Sequence, residues 1–223
     1  MNKLAGLMDR NFYFAMSLLI AGVVIFGFGQ TVDHRLIHAR VRRPVLVWVH
    51  GVVFSAWVML LIVQSCVVRS GNVQLHRRLG AFGIGLGVTV AVLGMWTAFV
   101  MRPFDLAHGG ELAQDAPNMT IASLDIASFT VPFALAVWWR RRPEFHRRLM
   151  LVATIGLCSA AFVRFPHPFG WPWYYFETDL LVLLCVARDL IVMRRVHPVY
   201  AVALPAMLLA QFLVMYADLH IWG

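Results

Sequence analysis

The sequence predicts an all-α, polytopic transmembrane helix bundle of seven spans in a single domain covering residues 1–223. Three observations lead there. Hydrophobic residues make up 61% of the chain against 13% charged, and the mean hydropathy is +0.73. A soluble domain of this length would carry roughly a quarter charged residues. The apolar residues also fall in blocks long enough for a bilayer core, about 20 residues each, rather than in amphipathic stripes.

The spans read in order as 11–30, 44–68, 79–101, 119–139, 149–163, 174–193 and 199–221. The first block is long and has no small-residue cleavage site, which argues for a span and against a removable signal peptide. The third is rich in glycine: Gly80, Gly83, Gly87, Ala91 and Gly94 share one face, and Gly83–Gly87 is a GxxxG. Such a face lets helix backbones approach closely, so the third span is expected at the centre of the bundle. The fifth is short and ends at Arg164, whose long side chain can reach the interface. The sixth is weakest, because its strongly apolar part is only residues 180–187. Segment 165–173 (FPHPFGWPW) holds three prolines and cannot be regular helix; it reads as a stiff cap over the outer end.

Charge orients the bundle. The N-terminus and the 69–78, 140–148 and 188–195 loops together carry 13 of the 19 basic residues. Placing that side in the cytoplasm puts the N-terminus inside and the C-terminus outside, in a bacterial inner membrane. The net charge of +8 then reports topology, and binding to nucleic acid is set aside because the arginines sit in short inter-span loops. Segment 31–43, with Arg35, Arg40, Arg42 and Arg43, runs against the rule. Trp138 and Trp139 suit one interfacial belt, and Trp171, Trp173, Tyr174, Tyr175 and Trp222 the other.

Polar residues inside spans are costly and therefore informative. Four of them, His50, Asp125, Arg164 and Asp179, come from four helices at similar depth in the outer half. They define a candidate polar site open to the outer face, with Trp57, Gln64, His167 and Glu177 in support. His50, Trp57 and Gln64 follow one another at seven-residue spacing and so share one face. Such a site suits an ion or a small ligand, for transport or membrane-embedded catalysis. His50, Asp125 and Asp179 form a donor set of the kind that holds a divalent metal. A structural ion-pair network of Arg164 with Asp125 or Asp179 explains the same residues. A protein that is only a structural or assembly subunit is the blandest alternative.

Other candidates are weaker. Asp33, His34 and His38 form D-H-x-x-x-H in the first outer loop. Cys66, Cys158 and Cys185 have no CxxC partner and read as small buried packing residues. Lys3 is the only lysine, so no span can hold a retinal Schiff base. HExxH, GxSxG and phosphate-loop motifs do not occur.

A weak repeat runs through the opposite end. Residues 75–79 read LHRRL and 145–149 read FHRRL, with a fainter echo, RRVHP, at 194–198. Basic residues are wanted at every cytoplasmic helix start, which explains the repeat without a duplication. His76 and His146 fall at matching depth, each followed by two arginines. Two histidines from facing helices suit a b-type haem, with the arginines meeting its propionates. This arrangement resembles the cytochrome b561 group, although a second histidine pair in the outer half is missing. The combination of His50-Gly51, Trp57 and Gln64 with the two HRR motifs, over roughly residues 46–190, resembles a family of uncharacterised bacterial multi-pass membrane proteins. That resemblance implies a bacterial inner-membrane location and no particular activity.

Overall fold

The computed structural model describes residues 3–110, 118–166 and 173–217, with the side chains of residues 3–10 and 173 left aside. Every regular element among them is helical. In chain order they are α1 (Lys3–Gly29), a π-helical turn (Asp33–Ile37), α2 (Val45–Arg69) and α3 (Val73–His108). Then follow α4 (Met119–Trp138), α5 (Pro143–Gly156), α6 (Ser159–Phe162), α7 (Trp173–Met193) and α8 (Pro198–Ala217). Five of them, α1 from Asn11 onward, α2, α3, α4 and α8, are long and apolar enough to cross a membrane. Their outward faces carry large apolar side chains such as Val52, Met59, Phe82, Val92, Val202 and Phe212, all exposed. A water-soluble protein would hide this surface, so the chain is a multi-pass helical membrane protein.

Local sequence explains where the helices turn. Between α2 and α3 the chain reads Ser70-Gly71-Asn72. Gly71 takes φ +76°, which a glycine adopts without a steric penalty. The Asn72 N–H donates back to the Val67 carbonyl at 3.2 Å, closing the end of α2. The Asn72 side chain then accepts the Leu75 N–H at 3.0 Å and starts α3. Asn118 caps α4 in the same way, accepting from Thr120 N–H at 2.9 Å. Pro143 opens α5, where its missing N–H costs nothing. Arg194 closes α7 in the left-handed region at φ 55°.

Six helices pack in a ring, α1 on α2, α2 on α3, α3 on α4, α4 on α8, α8 on α7 and α7 on α1. Helix α5 stands in the middle. One core, of Met16, Ile20, Val182, Cys185 and Tyr200, packs on its Leu149, Val152 and Ile155 side. A second, of Trp57, Val90, Phe129 and Phe133, packs on its Ala153 side. Residues 151–156 are buried without interruption.

This corrects the expected centre. The glycine face of α3 does pack, with Gly83 against Leu60 and Gly87 against Phe133, but α3 lies on the perimeter with Phe82 and Val92 exposed. The third helix is also longer than its apolar run, reaching from Val73 to His108. The fifth span is broken: α5 ends at Gly156 and α6 begins at Ser159. Cys158 and Cys185 are buried as expected, whereas Cys66 is exposed.

Candidate functional sites at the two ends of the bundle

The two HRR motifs occupy equivalent places. His76 and His146 each lie four residues after a helix N-cap, Asn72 and Arg142, and each reaches back to the helix before it. His76 Nδ1 meets Gln64 Oε1 of α2 at 2.8 Å, while Gln64 Nε2 donates to the His76 carbonyl at 3.3 Å. His146 Nδ1 meets the Ala136 carbonyl of α4 at 2.9 Å. A carbonyl oxygen only accepts, so in both rings Nδ1 carries the proton and Nε2 keeps its lone pair. The positive end of a helix dipole also favours the neutral ring. The two rings meet edge to face, with centroids 6.2 Å apart and planes at 74°.

His197, the third histidine at this end, has the opposite arrangement. Its Nδ1 accepts the Val199 N–H at 3.2 Å, so its proton sits on Nε2. Burial and the neighbouring Arg148 hold its pKa below the ordinary imidazole range.

Beside the histidines lies a buried charge cluster that the sequence reading passed over. Arg148, at 0% side-chain exposure, forks onto Asp189 with Nε–Oδ2 at 3.0 Å and Nη2–Oδ1 at 2.8 Å. Its Nη1 reaches Glu144 at 2.6 Å. Arg188 donates to the same Asp189 Oδ1 at 2.6 Å. The rings of Tyr13 and Tyr200 lie against these guanidinium groups. Burial disfavours an ionised Glu144, but the hydrogen bond from Arg148 outweighs it and holds the Glu144 carboxyl below its ordinary range. Arg148 is the last arginine of the second HRR, and its counterpart in the first, Arg78, is exposed. The motif thus combines a histidine role shared by both copies with an anchoring role found in one.

At the other end, the four residues expected to converge sit in separate contacts. His50 stacks on Phe54 at 4.0 Å, and its Nδ1 is buried without a hydrogen-bond partner. Arg164 lies within electrostatic reach of His50. Arg164 Nε donates to Thr31 Oγ1 at 3.2 Å, its Nη1 donates to the Ala160 carbonyl, and its guanidinium covers Phe28. Asp125 faces the hydroxyls of Ser159 and Tyr175. Asp179, one turn after Tyr175 on α7, accepts from Gln211 Nε2 of α8 at 3.1 Å. Gln211 was absent from the expected set, and no local motif marks it.

The supporting residues divide between places. Trp57 Nε1 donates to Thr154 Oγ1 at 3.2 Å in the core, and Gln64 serves His76 at the far end. The shared face of His50, Trp57 and Gln64 is real, but it runs through the bundle from end to end and serves three contacts. His167 lies outside the described residues. Glu177 stands half a turn before Asp179 on α7. His50, Asp125 and Asp179 do not gather: among the described residues no three His, Cys, Asp or Glu side chains are grouped to hold a metal ion. In the first loop His38 Nδ1 meets Asp33 Oδ1 at 2.7 Å, with both side chains exposed.

Compared with known protein families, curated proteins and solved structures, the chain finds no match.

Proposed function

We propose that the chain is a membrane redox protein of the bacterial inner membrane, built of seven spans, that holds a metal centre between His76 and His146. A b-type haem is the group this pair suits best. The observation that carries the reading is the pairing of the two rings at 6.2 Å with both Nδ1 protons taken up by Gln64 and the Ala136 carbonyl. Two imidazoles opposed across one metal, each nitrogen about 2 Å from it, bring their ring centres to roughly 6 Å. Ligating histidines characteristically donate their other ring N–H to a carbonyl or carboxylate, which fixes the tautomer and the ring orientation. Gln64 and the Ala136 carbonyl fill that role. Arg77 and Arg78, exposed at the same end, suit the carboxylates of a haem. A bound haem would supply one-electron chemistry; the chain's part is to hold and orient it.

Visible absorption of the purified protein tests this. The expected result is an intense band that shifts on reduction, is lost in His76→Ala and His146→Ala, and survives in His197→Ala. Gln64→Ala should weaken haem retention on the order of 10–100-fold. Colourless protein from haem-replete cells, with no bound transition metal by elemental analysis, would defeat the reading.

A second reading places an ion- or ligand-binding site at the opposite end. The unpartnered His50 Nδ1 close to Arg164 favours it. Both readings share one topology, with the 69–78 and 140–148 loops in the cytoplasm and the C-terminus outside. Reporter fusions at residues 72, 141 and 223 check it, and a cytoplasmic C-terminus would remove one crossing.

A further inference from the structure

Where α1 enters its apolar span it carries three aromatic residues in a row, Phe12, Tyr13 and Phe14. Three other helices each send an arginine to this turn. The guanidinium of Arg69, at the end of α2, lies over Phe14 at 5.3 Å. Arg147 of α5 lies over Tyr13 at 5.0 Å. Arg188 of α7 approaches Tyr13 at 5.6 Å and Phe12 at 5.9 Å. Arg188 is buried and bound to Asp189, and Arg147, a third exposed, bonds Glu144 at 2.6 Å. Arg69 differs. It is exposed, and its side chain donates to no carboxylate or carbonyl among the described residues. Nor does it cap its own helix, because the turn takes the last carbonyls of α2: Cys66 accepts Ser70 N–H at 2.9 Å, Val67 accepts Asn72 N–H at 3.2 Å and Val68 accepts Gly71 N–H at 3.0 Å. A guanidinium stacked on a ring keeps its N–H edge for an acceptor.

Tyr13 gives an independent sign of a missing acceptor. Its hydroxyl is buried without a hydrogen-bond partner, within electrostatic reach of Arg147, Arg148 and Arg188. Guanidinium groups only donate, so none of them can take its proton. The hydroxyl of Tyr200, near Tyr13 and Arg148, is in the same condition. Among the described side chains, Arg69, Arg147, Arg148 and Arg188 stand here against Glu144 and Asp189. In sequence, residues 1–10 add Lys3 and Arg10 against Asp9. The place calls for an anion with several acceptor oxygens. The lipid-facing side of α1 begins directly below it: Leu18, one turn after Phe14 on the same face, is 47% exposed, and Leu19 beside it 43%. A free phosphate would leave that wall untouched, whereas the acyl chains of a phospholipid lie on it.

We propose that the start of the α1 span binds the headgroup of an anionic phospholipid, with Arg69 and Arg147 clasping its phosphate, the Tyr13 hydroxyl donating to a phosphate oxygen and the acyl chains running past Leu18. Arginine forks match phosphate oxygens, and basic pockets between membrane helices bind such headgroups. This goes beyond the histidine-pair reading and does not depend on it.

Lipid titration of the full chain in a neutral detergent, followed by native mass spectrometry, tests it. The probes are phosphatidylglycerol, phosphatidylcholine and inorganic phosphate. Phosphatidylglycerol should be retained at concentrations where phosphatidylcholine and inorganic phosphate are not. Arg69→Gln and Arg147→Gln should each weaken that binding roughly fivefold. Tyr13→Phe, which keeps the ring, should weaken it too. Arg140, exposed at the same end, donates to the Val137 carbonyl instead of lying on a ring, so Arg140→Gln should leave binding unchanged. Thermal unfolding in detergent alone reports whether each variant folds. Should Arg147→Gln fail to fold, Arg69→Gln decides, because Arg69 is exposed and bonds no other side chain. Equal losses in Arg140→Gln and Arg69→Gln would overturn the proposal, since they mean diffuse attraction to basic loops. Undiminished binding in Arg69→Gln or Tyr13→Phe would overturn it, and so would equal retention of phosphatidylcholine or of inorganic phosphate.

Discussion

Replacing Asp189 by asparagine should destabilise the protein more than any other single change in the bundle, and more than removing either of its arginine partners. Asp189 bonds both Arg148 and Arg188, and all three side chains are at most 1% exposed. Taking away one partner of a buried pair leaves an uncompensated charge, at a cost of about 3–5 kcal/mol. Loss of Asp189 removes the buried anion from both guanidinium groups at once and leaves Arg148 only its contact with half-exposed Glu144. Loss of Arg148 is milder, because Arg188 still holds Asp189 Oδ1 and Glu144 is half-exposed to solvent. Loss of Arg188 is milder again, since the two-pronged contact from Arg148 survives. The expected order of thermal unfolding temperature in detergent is wild type, Arg188→Met, Arg148→Met, then Asp189→Asn. Asp189→Leu combined with both methionine substitutions should regain much of the loss, because an apolar replacement of a whole buried charge cluster is often neutral. Equal effects of the three single substitutions would mean that the cluster is open to water.

The membrane character and the positions of the helices were legible because a bilayer demands long apolar runs with satisfied backbones, and that demand is written in composition. The centre of the bundle was not. Hydropathy measures contact with lipid, and α5 has almost none: residues 151–156 touch protein on every side. A helix packed all round needs small residues more than it needs an apolar run. Ala153 and Gly156 supply them on α5, and Ser159, Ala160 and Ala161 continue the series through α6, denser than the GxxxG of α3 that drew the expectation. The site residues divide in a similar way. The paired HRR motifs pointed to two histidines whose rings do come together, edge to face, because equal spacing from a helix start gives equal depth. Arg148, Arg188 and Asp189 escaped notice because basic residues at a helix end look like topology signals, and burial is what separates an anchor from a signal. The four outer residues were placed at one end by depth alone. Depth carries no azimuth around a helix, so it could not foresee that Asp125 would turn to Ser159 and Tyr175, or Asp179 to Gln211.

The same contrast sets the order of effects at the glycines. Adding one methyl at Gly27 or Gly156 should be far more damaging than adding it at Gly87, although Gly87 belongs to the more conspicuous motif. A Cβ at Gly27 would run into the carbonyl of Ala161, and one at Gly156 would sit 2.8 Å from the carbonyl oxygen of Ser128. Both obstacles are backbone. Relief requires moving α6 from α1, or the α5 terminus from α4, and each shift pulls on the break that carries Ser159. At Gly87 the Cβ would meet the ring of Phe133, a side chain that can turn away, although it packs against Trp57 at 5.5 Å. Overpacking costs about 1–3 kcal/mol where neighbours can adjust, and more where they cannot. Gly87→Ala should therefore fall inside that range, while Gly27→Ala and Gly156→Ala lie at or above its upper end. Gly87→Leu exceeds what a ring rotation can absorb and joins the severe group. Thermal unfolding of the four variants in one detergent makes the comparison. If Gly87→Ala proves as damaging as Gly156→Ala, the α3 face is the tightest seam in the bundle and α5 is not its centre.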